Sequence, residues 1–332
     1  MRRVLLTYFC ASLGTFALAQ YVPNNGQAFQ FVSVTNPAFS GVENFTDLKL
    51  GYRHQWSGFG SHSPHYLNLS LNTRLRHPVD LRSNAMRISK STLVQPENLP
   101  KAKRIIHGFG ANIFNSKVGI INSLGASFNY SWNYPLTKKL RLSLGIGSVV
   151  ESRKLHLEDI IFREDPDPFY DHLIGSAVSQ VDLSFRGGAL LYSQRFYIGI
   201  SYLSIFNQSL QASDVALEDP FYRGSVQTGF SFRANRAWSF RPSMIAYLLM
   251  DNSFVMDYGA KAYLMDKGWL GITYRDSGTG IFLIGLNVTE LFNVTYSYEV
   301  GFGGFQPFGG SSHELVMGLR INNLKKAESW VW

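Results

Sequence analysis

Histidine side chains are the first candidates for chemistry in this sequence. His54, His62 and His65 lie close together in the chain, and His313 lies near its far end. A histidine paired with serine or aspartate can act as a general base in hydrolysis. However, the chain contains no Gly-x-Ser-x-Gly, His-Glu-x-x-His, phosphate-loop or cysteine-cluster pattern. We therefore predict hydrogen-bonding histidines at a polar rim, and no enzyme.

Two acidic segments that also carry aromatic residues are candidates for binding. They cover residues 158–171 and 218–222. Their carboxylates could hold Ca²⁺, but the ligand spacing and the turn glycine of a defined calcium loop are missing. We predict solvated loops without a metal or cofactor, and leave calcium binding open. The aromatic side chains could instead form one recognition surface, comprising Phe169, Tyr170, Phe221 and Tyr222.

The elements that position these segments are strands. In residues 138–147, Leu140, Leu142, Leu144 and Ile146 alternate with polar or small residues, which predicts a strand with one apolar face. The same pattern recurs along the chain. We predict about fourteen strands, at residues 45–54, 64–76, 105–114, 119–134, 138–151, 177–192, 195–206, 222–234, 237–249, 253–264, 268–276, 279–287, 290–301 and 312–322.

The connectors between these strands alternate in length. Tight turns are predicted at 135–137, 193–194, 235–236, 266–267 and 288–289, and long polar loops at 55–63, 154–176, 207–221 and 303–311. Short periplasmic turns and longer extracellular loops are typical of outer-membrane barrels. The fold class predicted is therefore all-β: a transmembrane antiparallel barrel of about fourteen strands, whose apolar face meets lipid.

Alternation also assigns the charged side chains to the lumen, because a charge facing lipid is costly. We expect nine basic and four acidic residues to point inward. The excess of basic residues predicts a positively charged lumen. The set is Lys49, Arg53, Arg74, Arg141, Asp182, Arg186, Arg233, Asp257, Lys261, Arg275, Glu299, Glu314 and Arg320. Tyrosine and tryptophan near strand ends, Trp238 and Trp269 among them, are expected in the interfacial girdles.

The chain divides into four segments. Residues 1–19 have the charged start, apolar stretch and Ala-x-Ala site of a cleavable export signal, and Cys10, the only cysteine, lies within it. Residues 20–44 are polar and rich in turns, and we expect them at the barrel mouth or inside the lumen. Residues 45–322 form the barrel, and residues 323–332 a C-terminal tail. Export, together with scattered basic residues, argues against nucleic-acid binding.

One connector departs from the short-turn pattern. Residues 77–104 should form a short periplasmic turn, yet they form a long basic insertion. We expect either a solvated insertion or a docking element for a periplasmic partner. Its candidate contact residues are Arg82, Arg87, Lys101, Lys103 and Arg104.

Short motifs along the chain resemble the PorP/SprF family of type IX secretion and gliding proteins. The opening motif contains Asn36, Pro37 and Gly41, and is followed by Tyr52-Arg53-His54-Gln55-Trp56-Ser57-Gly58. Further matches include residues 182–185, 197–202, 241–243, 269–275 and 296–299, and the last is Gly310-Ser311-Ser312-His313-Glu314. The motifs occur in the family's order over almost all of the chain that follows the export signal.

This resemblance implies a non-enzymatic outer-membrane barrel that contacts lipid and protein partners. It implies either support for secretion or surface anchoring of a protein with a type IX C-terminal signal domain, or docking of the periplasmic lipoprotein ring. A diffusion channel for anionic solutes is the alternative that the basic lumen favours. We also expect Arg53, Gln55, Trp56, His313 and Glu314 to join the first and last strands, since closure makes these strands neighbours.

Overall fold

The computed structural model describes residues 25–75, 105–137, 139–155, 179–211, 222–235, 237–265, 267–302 and 309–322. The export signal, the basic insertion, both acidic segments except Tyr222, and the C-terminal tail lie outside these residues. Within the described ranges, no helix is long and apolar enough to cross a membrane.

The described residues form one antiparallel sheet closed on itself. Each strand pairs with its neighbours in chain order, and β1 pairs with β15. The strands are β1 (Thr46–His54), β2 (His65–Arg74), β3 (Ile106–Val118), β4 (Ile121–Pro135), β5 (Arg141–Leu155), β6 (Ser179–Tyr192), β7 (Phe196–Gln211), β8 (Tyr222–Phe230), β9 (Phe232–Arg233), β10 (Trp238–Leu249), β11 (Phe254–Leu264), β12 (Gly268–Arg275), β13 (Thr279–Asn287), β14 (Phe292–Gly301) and β15 (Ser312–Ile321).

The barrel has fourteen strands, because β8 and β9 are two parts of one strand. Both pair with β10, and Ser231 separates them. The predicted fold class is confirmed. Three strands continue beyond their predicted ends, β3 to Val118, β5 to Leu155 and β7 to Gln211. These extensions carry polar as well as apolar residues, so hydrophobic alternation did not reveal them.

Every strand places apolar side chains on the outer surface. In β2 the outward Leu67, Leu69 and Leu71 are 45%, 41% and 38% exposed, while Asn68 and Ser70, which alternate with them, are buried. A continuous apolar outer surface of this kind suits lipid. The predicted outward register of β7 and β15 is also observed, with Ile198 and Leu315 exposed.

The two ends of the barrel differ in their connectors. One end, here called the short-turn end, carries the connectors 136–140, 193–195, 234–237, 265–267 and 288–291; the strands' other ends form the long-loop end. Some long-loop-end connectors are also tight, such as 119–120 and 250–253. In the latter, the hydroxyl and N–H of Ser253 donate to the Asp251 carboxylate, which lowers the pKa of that group.

One aromatic assignment was wrong. Trp238 is 40% exposed on the outer surface, as the girdle prediction requires, but Trp269 is 7% exposed and faces the lumen. Its neighbours Leu270 and Ile272 face outward, so alternation puts Trp269 on the inner face. The period-two alternation therefore predicts the facing of Trp269 correctly, whereas its residue type does not.

Candidate functional site: the occupied lumen

Residues 25–45, here called the plug segment, lie inside the barrel. They form two 3₁₀ turns, Ala28–Gln30 and Pro37–Phe39, around a short helix, Val32–Thr35. Every residue is buried except Val34 and Asn44, which are half-buried. Gly26 contacts Glu314 toward the long-loop end, and Gly41 lies against Gly108 toward the short-turn end. The segment therefore runs lengthwise through the lumen.

Barrel side chains satisfy the carbonyl groups of the plug segment. Its helical turns are too short to pair their own carbonyls, and an unpaired buried carbonyl is costly. Five strands supply the six donors. The contacts are Lys49 Nζ to Gln30 O (2.8 Å), Asn129 Nδ2 to Ser33 O (2.9 Å), Arg186 Nη1 to Val34 O (2.5 Å), Ser201 Oγ to Thr35 O (2.8 Å), Ser143 Oγ to Ala38 O (2.7 Å) and Ser131 Oγ to Ser40 O (2.5 Å).

Inward-facing glycines provide the space for the plug segment. A Cβ atom at Gly145 would lie 2.2 Å from the backbone nitrogen of Ala38. A Cβ atom at Gly188 would lie 2.1 Å from Asn36 Oδ1. No side chain could occupy these positions unless the plug segment moved away. The small-residue face of β5 is thus the face against which the plug packs.

The opening motif of the sequence forms the centre of the plug segment. The Asn36 side chain accepts from Ala38 N (3.0 Å) and donates to Ile200 O (3.1 Å), so it caps the Pro37–Phe39 turn and ties it to β7. Pro37 occupies the first position of that turn, where a missing N–H costs nothing. Gly41 has a φ of +66°, a conformation that favours glycine.

Arg53 joins the closure of the barrel to the plug segment. In the β1–β15 register Arg53 lies opposite Glu314. Its guanidinium lies 3.0 Å from Glu299 Oε2 and 3.5 Å from Glu314 Oε2, and its Nε lies 3.4 Å from Gln55 Oε1. Glu314 Oε2 also accepts from the backbone nitrogens of Gly26 (2.7 Å) and Gln27 (3.1 Å). One buried cluster therefore connects β1, β14, β15 and the plug segment.

The flanking closure residues lie at the same junction. The backbone N–H of Trp56 donates to Ser312 Oγ (3.2 Å), and that of Ser57 donates to Ser311 O (2.8 Å). His313 lies opposite His54 in the ladder but points outward. The structure thus brings the two motifs together, although His313 contributes to the outer rim and not to the buried cluster.

The remaining lumen candidates are mostly paired. Arg275 Nε lies 2.7 Å from Asp257 Oδ1, and Asp182 pairs with Arg153. Arg186 also donates to Asn129 Oδ1 (3.0 Å). Arg320 donates to Asn287 Oδ1 (3.2 Å). Arg141 is half-buried. Arg233 lies opposite the buried Ser239 and so on the inner face, and it is exposed at the mouth of the short-turn end.

Sequence reasoning missed three buried inward charges on the strands, together with the half-buried Glu151 of β5. Asp47 pairs with Lys49 at 2.9 Å, Arg153 pairs with Asp182, and Arg241 is buried beside Tyr263. All three follow the alternation of their own strands, which was the available signal. Arg153 was overlooked because the predicted strand ended at residue 151. With these residues included, Lys49, Arg53, Arg153 and Arg275 are ion-paired, so the described lumen is not a uniformly positive surface.

Aromatic contacts fix the plug segment toward β11 and β12. The rings of Phe29 and Trp269 meet edge to face with centroids 5.7 Å apart, and Trp269 stacks on Tyr263. Lys261 Nζ lies 3.5 Å above the centre of the Phe29 ring. Such cation–π and edge-to-face contacts add to simple burial.

The proposed partner surfaces are only partly described. Tyr222 contacts Tyr247 edge to face, with centroids 5.1 Å apart, and packs against the buried Ala28 and Ile245. Its role is therefore to pack against the inner cluster, which corrects its assignment to a loop surface. Phe169, Tyr170 and Phe221 lie outside the described residues, as do Arg82, Arg87, Lys101, Lys103 and Arg104.

The histidines form an aromatic row on the outer rim of the long-loop end. His54 and His65 have ring centroids 5.1 Å apart. His313 Nε2 lies 3.1 Å from Ser311 Oγ, and its Nδ1 lies 2.7 Å from the Tyr296 hydroxyl. A phenol lacks the negative charge that stabilises an imidazolium during catalysis. Among the described residues, no group of three or more His, Cys, Asp or Glu side chains could hold a metal.

Comparison with known proteins identifies the family. A family model described as type IX secretion system membrane protein PorP/SprF matches residues 17–319. A search of curated proteins found no match.

Several solved structures share the barrel shape. Omp33 of Acinetobacter baumannii has 9% identity over 85% of this chain and 100% of that one, with a TM-score of 0.44. The Pseudomonas putida toluene transporter TodX has 10% identity over 89% and 93%, with a TM-score of 0.46. Outer membrane phospholipase A from Escherichia coli has 9% identity over 84% and 93%, with a TM-score of 0.35.

A closed barrel with an apolar outer surface and an occupied lumen defines an outer-membrane β-barrel protein. The chain belongs to the PorP/SprF family of type IX secretion system membrane proteins, so the predicted family is confirmed.

Proposed function

We propose that this protein is a sealed, non-enzymatic scaffold of the type IX secretion machinery. The observation that carries this proposal is the plug segment, which fills the lumen and accepts six hydrogen bonds from five strands. A barrel occupied in this way can present loops and turns to protein partners while it blocks solute diffusion. Membership of a secretion family supports the same role.

Two partners fit this scaffold. A secreted surface protein with a type IX C-terminal signal domain would bind the loops at the long-loop end, which we take as extracellular. A periplasmic ring lipoprotein would bind the basic insertion at residues 77–104. We further propose that residues 1–19 are a cleaved export signal, which N-terminal sequencing of the membrane-bound protein would test.

Replacing residues 77–104 with a short turn distinguishes ring docking from client binding. If the shortened barrel still folds in the membrane but no longer co-purifies with the ring lipoprotein, ring docking is supported. The matched experiment replaces Phe169, Tyr170 and Phe221 with serine. Loss of one surface protein, with the ring retained, would support client binding.

Conductance tests the sealed lumen. We expect the purified protein to show no large, stable open state in planar lipid bilayers. A large and persistent conductance in the wild-type protein would contradict the scaffold and favour the anion channel.

A further inference from the structure

Three neighbouring connectors at the short-turn end carry only basic charges. They are the β4–β5, β6–β7 and β9–β10 connectors, and their sequences contain no Asp or Glu. Their basic residues, together with Arg233 just before the third connector, are Lys138, Lys139, Arg195 and Arg236. Lys139, Arg195 and Arg233 are exposed in the described structure and are here called the basic rim. Successive connectors are two strands apart, so the basic rim extends over about 20 Å.

The basic rim faces the mouth of the barrel at two of its three positions. Arg195 precedes the buried, inward-facing Tyr197 by two residues, and Arg233 lies opposite the buried Ser239. Their neighbours Phe196 and Phe232 are exposed on the outer surface instead. Lipid headgroups surround the outer circumference of a barrel, so a molecule that contacts Arg195 and Arg233 together would lie over the mouth.

Side-chain hydrogen bonds hold the three connectors in defined conformations. Thr137 Oγ1 accepts from the backbone nitrogens of Lys139 (3.2 Å) and Leu140 (3.0 Å). Ser193 Oγ accepts from two backbone nitrogens in the second connector (both 3.2 Å), and Asn235 Oδ1 accepts from two in the third (both 2.8 Å). Turns of this kind fix the local backbone. The backbone positions of the basic rim are therefore preorganised, which lowers the cost of binding a partner with a fixed charge pattern.

The rest of the chain at the short-turn end has no excess of acidic residues to cover the basic rim. The connectors 75–105, 265–267 and 288–291 and the residues after β15 together contain ten basic and five acidic residues. The acidic residues are concentrated at the long-loop end, where connectors 156–178 and 212–221 contain nine acidic residues and one basic residue. A second copy has the same orientation in the membrane, so its acidic loops lie at the wrong end. The complementary charge must therefore come from a different molecule.

We propose that the basic rim docks the acidic face of a folded periplasmic protein, which lies over the short-turn mouth. This inference rests on the proposed scaffold function and adds the chemistry and the position of the partner at this end. Opposite charges on two preorganised surfaces raise the association rate and exclude partners of like charge. Each exposed ion pair adds little affinity by itself, so the basic rim acts as a set.

Binding of the purified periplasmic ring lipoprotein, the partner already proposed for this end, tests the inference. The full-length barrel is immobilised in maltoside detergent, and biolayer interferometry measures binding of the lipoprotein without its acyl chains at low and at high salt. We expect the double variant Lys139→Glu/Arg195→Glu to weaken binding by about tenfold or more at low salt, because like charges now face each other. Binding by the wild type should weaken at high salt, since exposed charges are screened.

Lys117→Glu/Lys154→Glu is the matched control. It makes the same change in net charge at exposed residues of the long-loop end, and should leave binding unchanged. Heat-modifiable gel mobility checks that both double variants fold. If the reversal at Lys139 and Arg195 prevents folding, Lys139→Gln/Arg195→Gln removes the two charges without reversing them and makes the same comparison.

Each result decides the proposal. Weaker binding with the rim variant but not with the control supports it, and equal binding by the two variants overturns it. If the rim variant binds normally and replacement of residues 77–104 abolishes binding, the basic rim is overturned while the scaffold with ring docking stands. A wild-type barrel that does not bind the lipoprotein also overturns the inference; if it sediments with purified peptidoglycan instead, the basic rim contacts the anionic cell wall. Conductance decides the sealed lumen independently of all these results.

Discussion

Gly145→Ala should displace the plug segment from the barrel wall. The new Cβ would lie 2.2 Å from Ala38 N and 2.4 Å from Pro37 C, and both are backbone atoms that cannot rotate away. Overpacking costs about 1–3 kcal/mol, and loss of the Ser143–Ala38 hydrogen bond costs about 0.5–1.5 kcal/mol. The combined change of roughly 1.5–4.5 kcal/mol corresponds to a roughly 12- to 1,600-fold shift toward the displaced state.

Labelling of a buried cysteine measures this shift. Ala38 is fully buried, and the chain's only natural cysteine is Cys10. Ala38→Cys should therefore react slowly with a maleimide in the wild-type background and much faster with Gly145→Ala, and conductance in planar bilayers should rise in parallel.

Gly259→Ala is the matched control for this labelling experiment. Gly259 also faces the lumen, but its Cβ would meet the hydroxyls of Ser243 and Thr273 at 3.1 and 3.2 Å, and the nearest backbone atom, Ser243 O, at an ordinary 3.8 Å. Labelling of Ala38→Cys in this background should therefore stay slow. Equal labelling rates in the Gly145→Ala and Gly259→Ala backgrounds would refute the packing of the plug segment against β5.

Three further predictions follow from the barrel and its closure. Arg53→Met leaves Glu299 and Glu314 buried without their shared cation, which costs about 3–5 kcal/mol of stability. The urea concentration at the midpoint of unfolding should therefore fall, and an unchanged midpoint would argue against the ion pairs. Ile146→Arg puts a charge on the lipid face at a cost of about 2–4 kcal/mol, and should reduce the folded fraction in liposomes, measured by heat-modifiable gel mobility. An epitope inserted before Asn25 should be detected by antibody on intact cells; detection only after permeabilisation would mean that the long-loop end faces the periplasm.

Much of the wall could be predicted from the sequence because lipid and lumen impose opposite requirements on alternate residues. The registers of Leu67 to Leu71 and of Leu315 to Ile321 follow from this rule alone. Trp269 illustrates this rule. The alternation of β12 predicts that Trp269 faces the lumen, whereas the preference of tryptophan for the interface predicts the outer surface. Arg153 was missed because β5 continues beyond residue 151 through polar residues, whereas the predicted strand ended there.

The lumen was less predictable because its contacts join residues that are distant in the chain. A count of inward charges indicated a positive channel, but pairing depends on neighbours such as Asp47 for Lys49 and Glu299 for Arg53. The assignment of Tyr222 to a loop surface failed for the same reason: its contact with Tyr247 is made across the sheet.

The sequence by itself determined the barrel class, the facing of its strands and, through its motifs, the family. It did so because period-two alternation and ordered short motifs are properties of the chain alone. Only the tertiary structure decided what the small-residue face of β5 contacts. Gly145 and Ser143 lie against Ala38, more than a hundred positions earlier, as the Ser143–Ala38 separation of 105 residues shows. That contact exists because closure of the sheet brings the strand faces around a single enclosed space.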